Sequence, residues 1–280
     1  MYLPYRGKDT STKFKSIAVV GALLGTLALV GCGPKEQDPN HIKVGVIVGS
    51  EQQVAEVAQK VAKEKYGLDV ELVTFNDYVL PNEALSKGDI DVNAFQHKPY
   101  LDQQIKDRGY KLVPVGNTFV YPIAGYSKKI KSISELKAGD QIALPNDPTN
   151  LGRSLLLLQK EGLIKLKDGV GLLPTVLDVT ENPKNLKLVE LEAPQLPRSL
   201  DDDKIALAVI NTTYASQIGL TPEKDGIFVE DKESPYVNLI VSREDNKDAE
   251  NVKKFVQAYQ SDEVNAAANK IFNGGAVKGW

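Results

Sequence analysis

The sequence predicts an α/β fold made of two lobes. Three observations support this: short β-rich runs alternate with helical stretches from Ile42 onward, glycines follow several predicted helices, and the alternation starts again in the second half of the chain. The glycines are Gly67, Gly88 and Gly109, which stand where C-terminal helix caps are expected. Repeated β-α-β units with short loops predict a largely parallel sheet with helices on both faces.

The first unit extends from Ile42 to about residue 115. Its predicted helix 51–65 carries apolar residues at helical spacing, which are Val54, Val57, Ala58, Val61 and Ala62. The predicted strands are Ile42–Val48, Val70–Phe75, Ile90–Phe95 and Lys111–Val115. The remaining predicted helices are 82–87 and a segment that Pro99 opens and Gly109 closes.

The second unit begins after a predicted strand at Tyr121–Ser127, where Ser132-x-x-Glu135 forms a capping-box signature. Its predicted elements are strands Gln141–Leu144, Leu186–Leu191 and Ile205–Ile210, and helices 149–160 and 212–218. A further strand, Tyr236–Ser242, leads out of this unit into helix 247–259. Two units with one strand leading in and another leading out favour two lobes joined by a double crossover, with a cleft between them. The pattern alone leaves open whether the chain returns to the first lobe.

The N-terminal segment has the pattern of an export signal. Four basic residues, the last of them Lys15, precede an apolar or small run from Ile17 to Val30. This run is shorter than the about 20 residues that a membrane-crossing helix needs. It ends in Leu29-Val30-Gly31-Cys32, which is similar to the lipobox of bacterial lipoproteins, and that resemblance implies a lipidated Cys32. We therefore expect a signal peptide at 1–31 and a polar, lipidated tether at 32–40.

Composition argues against several classes of function. Without residues 1–31, which hold four basic residues and one acid, the chain keeps 30 Lys+Arg and 36 Asp+Glu, a formal charge of −6. No basic surface for nucleic acid is indicated. The chain has two histidines, His41 and His97, and its one cysteine is assigned to lipid, so a zinc site of His and Cys is excluded in practice. Because nucleophile-elbow and phosphate-loop motifs are also missing, we expect no enzyme activity, no cofactor and no metal.

An aromatic group is predicted at the carboxyl end of the strand at 90–95. Strand alternation directs Phe95 and His97 to the same side, and Tyr100 begins the next helix on that side. Tyr78 stands at the equivalent end of the preceding strand. Ligands of open α/β sheets bind at such strand ends, and an aromatic wall suits a flexible thioether. Ordinary packing is the alternative, and it is less favoured for a group of aromatics than for one alone.

Three polar residues are candidates for the ligand's charged groups. Arg153 lies near the start of the helix predicted at 149–160, where its charge opposes the helix dipole unless an anion is bound. The alternative is an exposed arginine paired with an acid such as Asp147, and the sequence favours neither. Asn211 and Asn238 follow or lie in predicted strands, and their amides are able to bind an ammonium or a carboxylate. Isolated asparagines are more often caps or turn residues.

The mature region resembles the methionine-binding lipoproteins of the NlpA type, which are the receptors of a methionine ABC importer. The residues that carry the resemblance include FNDYVLPNEAL at 75–85, GDIDVNAFQHKPYLD at 88–102, PNDPTNLGRSLLLLQ at 145–159, AVINTTYA at 208–215 and SPYVNLIV at 234–241. The resemblance implies a two-lobed periplasmic-binding-protein fold of the double-crossover type (type II). Lobe 1 is then expected at 41–129 and 232–280, and lobe 2 at 130–231.

The resemblance also implies a role for each candidate residue. Tyr78, Phe95, His97 and Tyr100 would enclose a methionine side chain, Arg153 would hold its carboxylate, and Asn211 and Asn238 would bind its amino and carboxylate groups. The expected partners are methionine, the permease and ATPase of the importer, and a membrane reached through the lipid anchor. We expect a monomer in the cell envelope that faces the periplasm.

Two other functions remain open at this point. One is a receptor for a Met-containing dipeptide or another apolar amino acid. The other is a surface lipoprotein with a structural or adhesive role.

Overall fold

The computed structural model describes residues 38–280. The predicted signal peptide at 1–31, the predicted lipidation site Cys32 and the first part of the predicted tether lie outside the described residues. Asp38 to Asn40 are exposed and immediately precede the first strand. No helix within residues 38–280 is long and apolar enough to cross a membrane.

The described chain forms strands and helices that alternate over most of its length. The strands are β1 His41–Ile47, β2 Asp69–Phe75, β3 Val92–His97, β4 Leu112–Val120, β5 Ala124–Tyr126, β6 Gln141–Pro145, β7 Lys165–Leu166, β8 Val179–Glu181, β9 Lys187–Leu191, β10 Ile205–Ile210, β11 Phe228–Val229, β12 Val237–Arg243 and β13 Val277–Lys278. The α-helices are α1 Ser50–Tyr66, α2 Leu80–Lys87, α3 Lys98–Arg108, α4 Pro148–Lys160, α5 Leu196–Ser199, α6 Thr212–Gln217, α7 Pro222–Asp225, α8 Glu250–Tyr259 and α9 Asp262–Ile271.

Local sequence signals explain the ends of the helices near the cleft. Gly88 and Gly109 end α2 and α3 in the left-handed conformation, with φ of 79° and 69°. Glycine adopts this conformation without the steric penalty that a Cβ would bring. Because the helices end at these glycines, the chain turns back into the sheet at β3 and β4. The capping-box signature at 132–135 produces only a single 3₁₀ turn, Ile133–Glu135.

The strands form two main sheets. The first has the order β13-β4-β12-β3-β1-β2, and the second has the order β11-β5-β10-β6-β9. The chain leaves the first sheet between β4 and β5 and returns between β11 and β12. This return confirms the predicted double crossover.

The lobe boundaries differ from the prediction at one crossing. The sequence placed the first boundary after residue 129, but β5 at Ala124–Tyr126 pairs with β10 in the second sheet. The chain therefore crosses at residues 121–123, where Pro122 lacks the N–H that a continuous ladder would require. The return crossing lies between Val229 and Val237, and it includes the predicted boundary at 231/232.

The sheets are mixed, so the prediction of largely parallel pairing is wrong. β1 is parallel to β2 and to β3, and β6 is parallel to β9 and to β10. However, β12 is antiparallel to both β3 and β4, because the returning chain inserts between them from the opposite direction. This insertion places Asn238 beside His97.

Each sheet has its own core, and a third cluster joins them. Helices α1, α8 and α9 pack on the first sheet through buried residues such as Val54, Phe255 and Val264. Helix α4 packs on the second sheet through Leu155 and Leu158. The third cluster combines Phe95 and Tyr100 of the first half with apolar residues of β10 and α6. The two halves therefore share apolar packing on one side of the cleft.

Candidate functional site

A cavity lies between the two sheets, and about 350 Å³ of space there, part of it open to solvent, is free of protein atoms. The residues that line it come from both halves of the molecule and are Tyr78, Phe95, Gln96, His97, Tyr100, Tyr121, Asn150, Arg153, Asn211, Thr212, Thr213 and Asn238. All seven ligand-binding candidates from the sequence are in this set. Their roles toward a ligand remain predictions.

Aromatic rings form one wall of the cavity. Tyr78 contacts Phe95 and Tyr100, with ring centroids 5.8 and 6.1 Å apart, and Phe95 lies 6.0 Å from Tyr100. The Tyr100 hydroxyl donates to the backbone oxygen of Tyr78 at 2.8 Å, which fixes the two rings relative to each other. Tyr214 from α6 does not line the cavity but packs against Tyr78 from the other half, with ring centroids 5.1 Å apart. The rings thus present an apolar, polarisable surface built mainly by the first half.

Buried amides support this wall from behind. Asn82 and Gln96 exchange two side-chain hydrogen bonds, at 2.8 and 2.6 Å. Asn93 donates to Asn82 at 2.9 Å and accepts from Gln96 at 2.9 Å. These three amides are at most 2% exposed, and they tie α2 to β3. Because each amide satisfies the others, the strand end that carries Phe95 and His97 is held rigidly.

His97 is a neutral hydrogen-bond donor in this arrangement. Its Nδ1 caps α3 by accepting from the backbone N–H of Tyr100 at 3.1 Å, so the proton is on Nε2. Nε2 donates to Oδ1 of Asn150 at 3.2 Å, across the cleft. Burial, together with the nearby charge of Arg153, lowers the pKa of His97 to about 3. The imidazole therefore brings no charge to the site near neutral pH.

Asn150 is the centre of a polar network at the start of α4. Asp147 caps the helix by accepting from the backbone N–H of Asn150 at 3.0 Å, and both of its oxygens accept from the Asn150 side-chain amide. This fixes Oδ1 of Asn150 toward the cavity, where it accepts from His97 and also from Asn211 at 2.9 Å. Oδ1 of Asn211 is buried and has no hydrogen-bond partner within residues 38–280. Because Asn211 lines the cavity, this oxygen is a candidate acceptor for a ligand.

Arg153 lies in the second turn of α4, which begins at Pro148. Its Nε donates to Oε1 of Glu230 at 2.8 Å, and its Nη2 donates to Oε2 of Glu230 and to the Tyr121 backbone oxygen at 3.0 Å. The guanidinium also stacks on the ring of Tyr236, with Cζ 4.3 Å from the centroid.

The alternative of an exposed arginine paired with a nearby acid such as Asp147 is correct in the pairing with an acid, but it is wrong in the exposure and in the acid. Arg153 is 4% exposed and its acid is Glu230. Asp147 is occupied with capping the helix.

Asn238 joins the site from β12. Its side-chain amide donates to the backbone oxygen of Phe95 at 3.2 Å, and it is 8% exposed. This bond leaves its side-chain oxygen for other donors. The placement depends on the antiparallel insertion of β12 beside β3.

Several residues of the site were not predicted as such from the sequence. Asn150 stood within the quoted motif but was not singled out, and Tyr121 was assigned to a continuous strand. Glu230 and Tyr236 belong to the return crossing, and Glu51 to the first turn of α1. Glu51 is 1% exposed, its Oε1 accepts from the Thr213 hydroxyl across the cleft, and burial raises its pKa to about 8.

Within residues 38–280, no group of three or more His, Cys, Asp or Glu side chains is arranged to hold a metal ion. The polar groups of the cavity are one guanidinium paired with one carboxylate, a neutral imidazole, amides and hydroxyls. Such a set is able to bind a small molecule that has both a cationic and an anionic end and an apolar body.

Comparisons with known proteins agree with this geometry. The model of the NlpA lipoprotein family matches residues 42–280. The D-methionine-binding lipoprotein MetQ of Escherichia coli (strain K12) is 89% identical over 268 residues, which cover 96% of this chain and 99% of that protein.

Two solved structures share the fold. A nutrient binding protein from Burkholderia cenocepacia, bound to methionine, is 54% identical with a TM-score of 0.83, covering 85% of this chain and 100% of that chain. An ABC transporter periplasmic substrate-binding protein from Coxiella burnetii is 50% identical with a TM-score of 0.82, again covering 85% and 100%. These similarities confirm the predicted two-lobed binding-protein fold.

Proposed function

The chain belongs to the NlpA lipoprotein family, and from this premise we propose that it captures methionine for an ABC importer and delivers it to the membrane permease. Like the proteins that it resembles, it is a transport receptor and not an enzyme. The importer's ATPase then supplies the energy for transport. The observation that carries the proposal is the cavity, in which an aromatic wall of one half faces a buried arginine of the other half, together with an amide oxygen that has no hydrogen-bond partner in the described part of the chain.

The aromatic wall suits the side chain of methionine. A thioether is flexible and polarisable, and it gains favourable contacts at the edges and faces of aromatic rings. We assign Tyr78, Phe95 and Tyr100 to this role, with the His97 ring at the polar end of the wall. The three rings are mutually within about 6 Å and so form one continuous surface, across which an unbranched chain is able to contact all three.

The opposite wall suits the charged groups of an amino acid. We assign the ligand carboxylate to Nη1 of Arg153, since Nε and Nη2 already donate to Glu230 and Tyr121. The ligand ammonium is assigned to Oδ1 of Asn211, the buried acceptor without a partner within residues 38–280. The amide oxygen of Asn238 is a second acceptor for the ammonium. A charged ligand group is stabilised when such partners are placed in advance and are shielded from water.

Closure of the two lobes is the step that links binding to transport. Hydrogen bonds from His97 to Asn150 and from Thr213 to Glu51 already cross the cleft. A ligand held by both halves stabilises the closed arrangement by its extra affinity for that state. The closed receptor is the form that the permease recognises. We propose that the receptor acts as a monomer, with 41–123 and 230–280 as lobe 1 and 124–229 as lobe 2.

The family assignment makes the chain a lipoprotein of the cell envelope. We propose that residues 1–31 are removed as a signal peptide and that Cys32 carries the lipid. We further propose that the binding cleft faces the periplasm. Substitution of Cys32 by serine should release the protein into the soluble envelope fraction without changing its ligand affinity.

Calorimetry on purified, refolded protein tests the ligand. L-methionine, D-methionine, a Met-containing dipeptide and leucine are titrated separately, because the relative from Escherichia coli is named for the D-enantiomer. We expect at least one methionine enantiomer to bind more tightly than leucine or the dipeptide. Tighter binding of the dipeptide or of leucine would mean that this molecule, and not methionine, is the transported ligand. If none of the four molecules binds, the receptor function is refuted. Native mass spectrometry of protein purified without denaturation identifies any ligand that co-purifies.

A further inference from the structure

We propose that Glu230 is a positioning residue of this site that also sets its charge preference, so that the cleft accepts a zwitterion and rejects a simple carboxylate. This inference rests on the proposed function, and it concerns a residue outside the aromatic wall and the amide network. It is carried by the geometry of Glu230 around Arg153 and by the charges that surround the cavity.

Glu230 fixes the orientation of the Arg153 guanidinium. Its two carboxylate oxygens accept from Nε and Nη2, which is the bidentate arrangement that constrains a planar guanidinium most strongly. The Tyr121 backbone oxygen and the Tyr236 ring complete the enclosure. Nη1 makes no hydrogen bond to any residue within 38–280, and Arg153 lines the cavity. Because Glu230 accepts from Nε and Nη2, Nη1 is the nitrogen that is left to bind the ligand.

Glu230 itself is held in place before any ligand arrives. Its backbone N–H donates to the backbone oxygen of Ile123 at 2.9 Å, so the return crossing is joined to the outgoing crossing beside it. The Glu230 side chain is 13% exposed, and that of Arg153 is 3% exposed. A pair this well buried, with its backbone tied at both ends, does not depend on the ligand for its geometry. Groups organised in advance lose less entropy when the ligand binds.

Glu230 also balances the charge of the site. The charges of the Arg153 guanidinium and the Glu230 carboxylate sum to zero, and His97 is neutral. The Asp147 carboxylate is stabilised by the partial positive charge at the N-terminus of α4, which it caps. A zwitterion keeps this sum at zero. A ligand with only a carboxylate adds an uncompensated negative charge to a buried site, which is unfavourable. Without Glu230, Arg153 would be an unpaired cation that any carboxylate could neutralise.

The test compares methionine with the same molecule lacking its α-amino group. Calorimetric competition gives the ratio of the two dissociation constants for wild type, Glu230→Gln, Glu230→Asp and Asp231→Asn. Asp231 is the matched control, because it is adjacent, loses the same charge on substitution, and belongs to an exposed pair with Lys160.

We expect Glu230→Gln to reduce the preference for methionine roughly tenfold or more, since a full charge near the ligand is lost. Asp231→Asn should leave the preference within about threefold of wild type, since exposed pairs contribute little. An unchanged preference in a folded Glu230→Gln protein would overturn the inference. Loss of packing alone would weaken both ligands equally and leave their ratio unaltered.

Glu230→Asp keeps the test decisive if the glutamine variant does not fold. Aspartate retains the charge but is too short to reach both nitrogens, so the preference should remain while methionine affinity falls roughly tenfold. Wild-type affinity in Glu230→Asp would overturn the positioning role. Failure of the wild type to bind methionine would instead count against the proposed function, so the two failures are distinguishable.

Discussion

Replacement of Glu51 by glutamine should change how the stability of the protein depends on pH. Glu51 lies in the first turn of α1 and is 1% exposed. Its Oε1 accepts from the Thr213 hydroxyl, and its Oε2 has no hydrogen-bond partner within residues 38–280. The titratable groups that feel its charge are phenols rather than cations, namely Tyr78, Tyr121, Tyr214 and Tyr259. Burial therefore raises its pKa from 4.5 to about 8.

The sign and size of the pH effect on stability follow from the difference between the pKa of Glu51 in the unfolded chain and its pKa in the folded protein. Between pH 4.5 and about 8 the unfolded chain has lost the Glu51 proton and the folded protein keeps it. The contribution of Glu51 to the free energy of unfolding is therefore fully present below pH 4.5 and is lost as the pH rises toward 8. The difference of 8 − 4.5 = 3.5 pH units corresponds to about 5 kcal/mol in total, at about 1.4 kcal/mol per unit.

Glutamine is neutral at every pH in this range, so Glu51→Gln should lack this slope. Relative to wild type, the variant should gain about 3 kcal/mol between pH 5 and 7.5. Any cost of its unpaired amide is constant with pH and does not alter the gain. Urea unfolding of ligand-free protein, followed by circular dichroism at several pH values, measures both proteins.

Glu56→Gln is the matched control, because Glu56 is an exposed residue of the same helix. Its unfolding free energy should follow the wild-type dependence on pH. A difference between wild type and Glu51→Gln that is the same at pH 5 and at pH 7.5 would refute the protonated state of Glu51 in the folded protein.

Three further substitutions test the site and its support. Arg153→Met should weaken methionine binding about 100-fold or more, because the ligand carboxylate loses a buried charged partner; calorimetry that returns wild-type affinity would rule out this role. Phe95→Ala removes a ring that is 3% exposed between Tyr78 and Tyr100, and it should lower the free energy of unfolding by about 3–5 kcal/mol in urea titrations. A loss below about 1 kcal/mol would show that the wall is loosely packed. Asn82→Ala removes three hydrogen bonds from the buried amides of Gln96 and Asn93, which keep the bond between them, and should cost about 2–3 kcal/mol in the same assay, whereas no change would mean that water replaces the lost bonds.

The parts of the site that the sequence predicted are those encoded over a few neighbouring positions. Phe95, His97 and Tyr100 follow one another across a single strand-to-helix turn, so alternation along the strand and the helix start were enough to group them. Asn211 was found for the same reason, since it directly follows the buried strand β10. The ends of α2 and α3 were predicted because glycine favours one backbone conformation there.

The parts that the sequence did not predict depend on contacts between distant segments. Glu230 is 77 positions from Arg153, and no periodicity or motif links the two. The insertion of β12 between β3 and β4 is equally invisible, since the apolar pattern of a buried strand is the same in either direction. Helix α9 was missed because its buried apolar residues are few, mainly Val264 and Ala268.

The two chain crossings lie side by side, joined by the hydrogen bond from Glu230 to Ile123. Two connecting segments that lie side by side allow hinge-type rotation of one half of the molecule relative to the other. The lobe at 124–229 should therefore rotate relative to the other lobe about a hinge formed by these two segments. One distance between a pair of spectroscopic labels, one on α3 and one on α4, would then be enough to follow the whole movement in real time.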